Sequence, residues 1–242
     1  TWLYSTIGYG THGLLDACTS YGTLLFWPFS YERISWNNVS IIDPFFTIPL
    51  VFFVGLSIYF KKRVYARISL VWAISYLLIG IALNHVAMDV GKEIAIERGH
   101  NITRMVAKPT FANLFLWKVI YENKGIFYTD GIRIFPTIKI IEGDSIPKLD
   151  LTKDFLWLNP ESQQAKDIKR FAWFSQNYLA ISPTNKNLIV DVRYSILPNQ
   201  ISGLWGIELS PEADFIVHTK FISNRNKSEN RIKALIDMIV DG

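Results

Sequence analysis

The residues of this chain that could do chemistry begin with a histidine and an aspartate near its amino terminus. His12 and Asp16 lie four residues apart in an apolar segment with helical character, so their side chains share one face of a helix. An imidazole and a carboxylate are suitable ligands for a divalent ion, above all zinc, with manganese or magnesium as alternatives. The spacing predicts a metal-binding pair. The alternative is that the two side chains hydrogen-bond each other inside an apolar helix bundle.

Asp43 is a third candidate ligand, because a carboxylate at the mouth of an apolar run is costly unless it is paired, hydrated or metal-bound. Asp43 followed by Pro44 is also a helix start signal, with Asp as the cap and Pro at the first helical position. Three polar residues lie close in sequence to the pair of His12 and Asp16, namely Thr11, Thr19 and Tyr21. They are predicted either to orient the ligands from a second shell or to cap and pack the helix.

The remaining histidines and the single cysteine carry weaker signals. His85 and Asp89 repeat the spacing of four, and we interpret them as a solvated pair at the end of an apolar run. His100 falls in a predicted turn and His218 in a predicted strand, so both are expected to be structural or solvent-facing. Cys18 is expected to be a small packing residue, and one cysteine excludes an internal disulfide.

Two uncharged apolar runs must position these residues. They cover 44–60 and 68–84, and the segment 61–67 between them contains four basic residues. Each run has 17 residues, at the lower end of the roughly 17 to 25 that cross a bilayer, so buried helices of a soluble protein are the alternative. Aromatic ends and the basic connection favour the membrane. The positive-inside rule then places 61–67 in the cytoplasm and the region after His85 on the other side.

The composition and motifs of the chain argue against several classes of function. Half of the 242 residues are hydrophobic and 19% are charged, which is too apolar for an ordinary soluble protein. A net charge of +4 does not indicate nucleic-acid binding, and no nucleotide-binding loop, serine-hydrolase elbow or CxxC pair occurs. The sequence starts with neither an initiator Met nor a signal peptide, so we expect it to be part of a longer chain.

From Thr110 onward the pattern changes to short β-branched and aromatic runs separated by turn residues. Asp130-Gly131 between the runs 125–129 and 132–141 predicts a hairpin. Further strands are predicted at 178–181, 188–194, 206–209 and 215–219, with 185–187 and 198–199 as turns. Helices are predicted at 160–175 and 228–240.

The sequence therefore predicts an α+β membrane protein. Residues 1–109 would form a transmembrane helical region with a metal site, and residues 110–242 a small antiparallel β-rich extramembrane domain with a C-terminal helix. Asp191 and Arg193, two apart on a predicted strand, share one face, so they would form an ion pair or hold a polar ligand.

Several segments resemble one known family, in family order. They are THGLLDACTSYGT at 11–23, WPFS at 27–30, IIDP at 41–44, KPTFANLFLW at 108–117, RFAWFS at 170–175 and DVRY at 191–194. In these segments the chain resembles the YdjM-like membrane-bound metal-dependent hydrolases of the bacterial inner membrane. That family is distantly grouped with zinc-dependent phospholipase C and P1 nuclease, and its members carry further His and Asp residues upstream of the point where this sequence starts.

The resemblance implies a multipass inner-membrane hydrolase that uses a metal-activated water on a phosphoester or lipid-like substrate. Its partner would be the lipid bilayer, and no nucleic acid is expected. The alternative is a non-catalytic integral membrane protein whose β domain binds a partner or senses the state of the envelope. The two functions differ in whether His12, Asp16 and Asp43 converge on one ion.

Overall fold

The computed structural model describes residues 2–224 and 229–240, and it divides into two compact units. The first, called here the helical unit, comprises residues 1–90, 107–117 and 133–138. The second, called the β-rich unit, comprises residues 91–106, 118–132 and 139–242. The predicted α+β class, with helices first and antiparallel sheets later, is confirmed.

The amino-terminal half of the chain is helical where the sequence is continuously apolar. Helix α1 spans Trp2–Cys18, α2 spans Pro44–Phe60 and α3 spans Arg63–Glu97. The run 44–60 is confirmed as one helix, and 68–84 lies inside α3. Lys61, with φ of 52° in the left-handed region, ends α2. The chain therefore reverses within the basic segment that the sequence placed between the two runs.

Helices α2 and α3 pack as an antiparallel hairpin. The Ser69 hydroxyl donates to the Leu50 carbonyl at 3.2 Å, and the rings of Phe46 and Tyr76 lie 5.7 Å apart. Near the turn, the rings of Phe60 and Tyr65 are 5.9 Å apart. No side chain of α2 is buried, so its apolar surface faces outward. Such a surface suits contact with lipid rather than water.

Among the described residues, α3 is the one helix that is both long and apolar enough to cross a membrane. Its 35 residues span about 52 Å at 1.5 Å per residue, more than the roughly 30 Å of a bilayer's hydrocarbon core. Helix α2 is also strongly apolar, but its 17 residues make it shorter.

The polar stretch 86–107 has a helical pattern in the sequence, but only its first half is helical. Helix α3 ends at Glu97, because Gly99 adopts a left-handed φ of 68° and the amides of Gly99 and His100 bond back to the last turn. This is the usual way in which a glycine terminates a helix. Strand β1 then starts at Arg104.

The remaining elements form two sheets and three helices. The first sheet contains β1 (Arg104–Pro109), β2 (Leu116–Asn123), β3 (Ile126–Arg133) and β4 (Lys139–Ile141) in that order, and β5 (Ser145–Pro147) pairs with β3. Next come helices α4 (Leu151–Asp154) and α5 (Gln163–Phe174). The second sheet, antiparallel throughout, orders β6 (Leu179–Ser182), β7 (Asn185–Asp191), β8 (Trp205–Glu208) and β9 (Lys220–Ser223). Helix α6 (Glu229–Val240) confirms the predicted C-terminal helix, and Ser228 lies outside the described residues.

The predicted hairpin at Asp130-Gly131 was wrong. Strand β3 runs straight through these two residues, and the turn lies at Lys124-Gly125, where φ is 48° and 74°. Positive φ at both central residues is what a tight two-residue hairpin requires. Asp130 stays in the strand because its carboxylate, 1% exposed, is held by Arg98.

Two further strand predictions need correction. Strand β7 begins at Asn185 and ends at Asp191, so 185–187 is not a turn and Arg193 lies beyond the strand. The segment 215–219 is not a strand. Its backbone is bonded to α5 instead, since the Gln163 amide donates to the Phe215 carbonyl and the Thr219 amide donates to Asp167.

Two apolar clusters form the core of the β-rich unit. One gathers around Ile120, Phe127, Tyr178 and Val192. The other contains Phe155, Ile168, Leu179, Ile189 and Ile207, so α5 packs its buried side on the second sheet. The predicted helix at 160–175 is thereby confirmed as α5, with Ser162 as its N-cap.

Candidate functional site

His12 and Asp16 are brought together on one face of α1, as their spacing predicted. The imidazole Nε2 lies 3.4 Å from the Asp16 carboxylate, and the two side chains are 70% and 45% exposed. Thr11 donates its hydroxyl to the Ile7 carbonyl, and Thr19 donates to the Asp16 carbonyl, where α1 ends. Both threonine hydroxyls therefore bond helix backbone.

Asp43 has partners of its own. One carboxylate oxygen accepts the backbone amides of Phe45 and Phe46 at 3.0 and 3.3 Å, and the other accepts the Tyr76 hydroxyl at 2.8 Å. The buried carboxylate thus caps α2 and fastens it to α3. This is the helix-cap role that the Asp43-Pro44 signal offered as an alternative.

A zinc site needs four ligands, or three protein ligands and a water. Within residues 2–224 and 229–240, no group of three or more His, Cys, Asp and Glu side chains is arranged to hold a metal ion. His12 and Asp16 supply two ligands, which do not make a complete site. The assignment of His12, Asp16 and Asp43 as metal ligands, and of Thr11, Thr19 and Tyr21 as residues that orient them, stays a prediction.

Asp191 and Arg193 form the predicted ion pair in a turn rather than along a strand. The guanidinium contacts the carboxylate three times, at 2.6, 2.9 and 3.2 Å, and both side chains are buried. Arg193 also donates to the Gln176 side chain and the Phe174 carbonyl. These bonds tie the end of β7 to the end of α5.

The β-rich unit contains a cleft of about 480 Å³, within the range typical of small-ligand sites. Five apolar and five polar residues line it, and we call the apolar part its floor and the polar part its mouth. The apolar residues are Leu149, Leu151, Ile168, Ala172 and Leu179, and the polar ones are Thr103, Arg104, Glu122, Lys148 and Asn177. We call this feature the ligand cleft.

The mouth of the ligand cleft is built around Glu122. Arg104 donates Nε to its carboxylate at 2.6 Å, and Lys148 donates Nζ to both oxygens at 3.0 and 3.2 Å. Burial alone would raise the pKa of Glu122, but the hydrogen bonds from Lys148 and Arg104 outweigh it and lower that pKa. Glu122 is therefore ionised at neutral pH, and the three side chains carry a net charge of about +1.

The two cations of the mouth, Arg104 and Lys148, differ in how many hydrogen-bond partners they have. Arg104 also donates to the carbonyls of Gln176 and Asn177 and lies 4.0 Å from the Tyr178 ring centroid. Among the described residues, the Lys148 ammonium has Glu122 as its one hydrogen-bond partner, and the side chain is 37% exposed. Because an ammonium group has three donors, Lys148 can bind another acceptor.

No sequence motif indicated the mouth of the cleft, because Arg104 and Lys148 are 18 and 26 positions from Glu122 along the chain. One signal was available. Lys118 and Glu122 interrupt the mostly apolar sequence of β2, and charges inside a buried strand must be paired. Lys118 indeed donates to the Ser195 hydroxyl and the Gln200 carbonyl, both at 2.7 Å.

Comparison with known proteins finds one similarity, in the first part of the chain. Residues 1–87 match the family described as YdjM inner membrane protein. This range covers α1, α2 and most of α3, including His12, Asp16 and Asp43. No curated protein and no solved structure matches the chain.

Proposed function

We propose that this chain is a membrane-anchored binding protein. Residues 1–87, which match an inner-membrane family, would hold it in the bilayer, and the ligand cleft of the β-rich unit would bind a small molecule or chain end with an apolar part and an anionic group. The observation that carries the proposal is the apolar floor of the cleft lying beside Lys148, whose ammonium has a donor to spare.

The chemistry of the cleft favours this kind of ligand. An apolar group on the floor would cover leucine and isoleucine side chains that now face the cleft, and burying such surface contributes about 25 cal/mol per Å². An anionic end would meet Lys148 at the mouth. Arg104 would hold Glu122 in place from the other side, so that Lys148 need not leave its carboxylate partner.

The orientation in the membrane is part of the proposal. Helices α2 and α3 would form a two-span hairpin whose basic connection, 61–67, stays in the cytoplasm. The carboxyl end of α3 would then leave the membrane on the opposite side and deliver the β-rich unit there, outside the cytoplasm.

Hexanoate, a short apolar chain with a carboxylate, is the probe for this proposal. The full chain would be placed in lipid nanodiscs, and hexanoate binding would be followed by ligand-observed NMR. We expect saturable binding in the wild type. Lys148→Met should weaken it about tenfold, because a hydrogen bond to a charged group contributes about 1.5 to 3 kcal/mol. Ala172→Phe, which fills the cleft, should abolish it.

Lys153→Met is the matched control, because Lys153 pairs with Asp150 on the surface of the same unit and does not line the cleft. It should bind hexanoate like the wild type. No saturable binding in the wild type, or binding that survives both Lys148→Met and Ala172→Phe, would overturn the proposal.

A metal-dependent hydrolase of phosphoester or lipid-like substrates is the second candidate function. It is favoured by the proximity of His12 and Asp16, at 3.4 Å, inside the segment that matches the inner-membrane family. Any complete site would need ligands in addition to this pair. Elemental analysis of the purified chain tests it: near-stoichiometric zinc or manganese that both His12→Ala and Asp16→Ala remove would support the hydrolase.

A further inference from the structure

A surface of the β-rich unit, separate from the ligand cleft, is built by α5 and the segment that precedes β9. The Gln163 amide donates to the Phe215 carbonyl at 2.9 Å. The Asp167 carboxylate accepts the Thr219 amide and lies 2.9 Å from Nδ1 of His218. These bonds fix the segment along the helix, so the side chains it presents have a defined place.

Several large apolar side chains on this surface are exposed. Six of them are between 43% and 78% exposed, and together they are called here the apolar rim: Trp173, Phe174, Phe215, Ile216, Val217 and Phe221. Trp173 and Phe174 contact each other edge to face at 5.5 Å. Phe174 lines a groove with Ile207, and Phe221 pairs with Ile207 across β8 and β9, so the rim continues from α5 onto the sheet. Apolar patches of this kind mark a binding surface.

Basic side chains border the apolar rim. Lys166, Lys169 and Arg170 project from the exposed face of α5, where spacings of three and four place them in line with Trp173. Lys220 is exposed beside Phe221. Among the described residues, none of these four cations has an ion-pair partner.

The nearby acidic groups do not cancel this charge. Asp167 bonds His218 and the Thr219 amide, and although burial alone would raise its pKa, these bonds lower that pKa, so it carries a negative charge. Glu212 and Asp214 are exposed at the start of the segment, so three carboxylates face four cations. The surface therefore combines exposed aromatic and aliphatic side chains with an excess of positive charge.

We propose that the apolar rim and its basic border dock the β-rich unit on the anionic surface of the lipid bilayer. Aromatic side chains settle at the boundary between headgroups and acyl chains, and lysine and arginine are attracted to anionic headgroups. Residues 1–87, which match an inner-membrane family, would anchor the chain at a bilayer. The proposal depends on that anchorage and not on any ligand of the cleft.

The test places a fluorophore on the apolar rim of the full chain. In a Cys18→Ala background, Ile216→Cys carries a nitrobenzoxadiazole label, and Lys186→Cys on β7 provides a control position that is exposed and distant in sequence. The protein is reconstituted in nanodiscs of phosphatidylcholine alone or with about one third phosphatidylglycerol, each containing a nitroxide-labelled lipid as quencher. In the anionic discs, quenching at position 216 should exceed quenching at position 186 several-fold.

Charge variants sharpen the same experiment. Lys169→Gln combined with Arg170→Gln should weaken docking about thirtyfold, since each basic residue near an anionic surface contributes to binding independently. Lys153→Gln, which removes an exposed charge outside this surface, should leave the quenching unchanged.

Three results would overturn the proposal. One is equal quenching at positions 216 and 186 in anionic discs. Another is quenching at 216 that does not respond to the double charge variant or to the removal of phosphatidylglycerol. The third is a concentration-dependent disulfide between unlabelled Ile216→Cys chains with no quenching by lipid, which would assign the rim to contact with a second copy.

Discussion

Buried carboxylates have different partners in the helical unit and in the β-rich unit. In the helical unit, Asp43 accepts two backbone amides at the start of α2 and the hydroxyl of Tyr76. In the β-rich unit, Asp130 is paired with Arg98, and Glu122 is paired with Arg104 and Lys148. Local polar bonds suit a hairpin set in lipid, whereas these ion pairs join parts of the β-rich unit that are 18 to 32 positions apart in sequence.

The largest effect should come from breaking one such ion pair. Arg98→Ala would leave the Asp130 carboxylate buried without the bidentate contact it now receives at 2.7 and 2.9 Å. Removing one partner of a buried pair costs about 3 to 5 kcal/mol. Thermal unfolding in detergent should therefore shift strongly downward, while Arg170→Ala, at an exposed arginine, should change the midpoint little. Equal midpoints for the two variants would contradict the contrast drawn between the units.

Lys118 should make the stability of the β-rich unit depend on pH. Burial lowers the pKa of this lysine from 10.5 to about 7, against the attraction of Asp144 and Asp191, which raises it. Between these two values the unfolded chain binds more protons than the folded chain, so the free energy of unfolding rises with pH, by up to about 1.4 kcal/mol per pH unit. Below pH 7 both states are protonated and the rise ends.

Lys118→Met removes the titrating group and should remove this rise. The measurement compares unfolding free energies of wild type and Lys118→Met from pH 7 to pH 10, where the difference between them isolates Lys118 from other titrating groups. Parallel curves would show that the burial of Lys118 does not govern its proton affinity.

A smaller effect is expected in the helical unit. Asp43→Ala removes the cap of α2 and the acceptor of the Tyr76 hydroxyl, at a cost of about 0.5 to 2 kcal/mol. Tyr76→Phe should cost less, about 0.6 kcal/mol for one hydrogen bond within a membrane. Unfolding in detergent micelles would rank the two variants. A larger loss for Tyr76→Phe would mean that Asp43 is not chiefly a helix cap.

The smallest effect on stability is expected at the His12–Asp16 pair. Both side chains are largely exposed, and exposed pairs of this spacing contribute about 0.3 to 0.5 kcal/mol. His12→Ala and Asp16→Ala should therefore unfold within a degree or two of the wild type. A loss of several kcal/mol in either variant, reversed by added zinc, would instead place a metal ion there.

The helices could be predicted because their signals are local. An uncharged run of 17 residues after Asp43-Pro44 specifies α2 by itself, and the spacing of His12 and Asp16 fixes their common face once α1 forms. The Asp130-Gly131 turn failed for the opposite reason. Whether these two residues form a turn or a strand depends on Arg98, 32 residues earlier, because its ion pair with Asp130 stabilises that carboxylate in the buried strand.

The ligand cleft could not be predicted for the same physical reason. Its mouth joins Arg104, Glu122 and Lys148 from three different strands or strand ends, and no short motif contains them. The charge of Glu122 inside the mostly apolar β2 indicated that a partner exists. Only the fold of the sheet, which pairs residues far apart in sequence, shows which residues those partners are.

The most direct test of the central claim, that the β-rich unit carries the binding chemistry, is a hexanoate titration across variants of both units. The full chain in nanodiscs would be compared with Lys148→Met and with the double variant His12→Ala, Asp16→Ala. Lys148→Met should lose most of the binding, and the double variant should bind like the wild type. Binding that persists in Lys148→Met and disappears in the double variant would contradict the central claim and move the chemistry to α1.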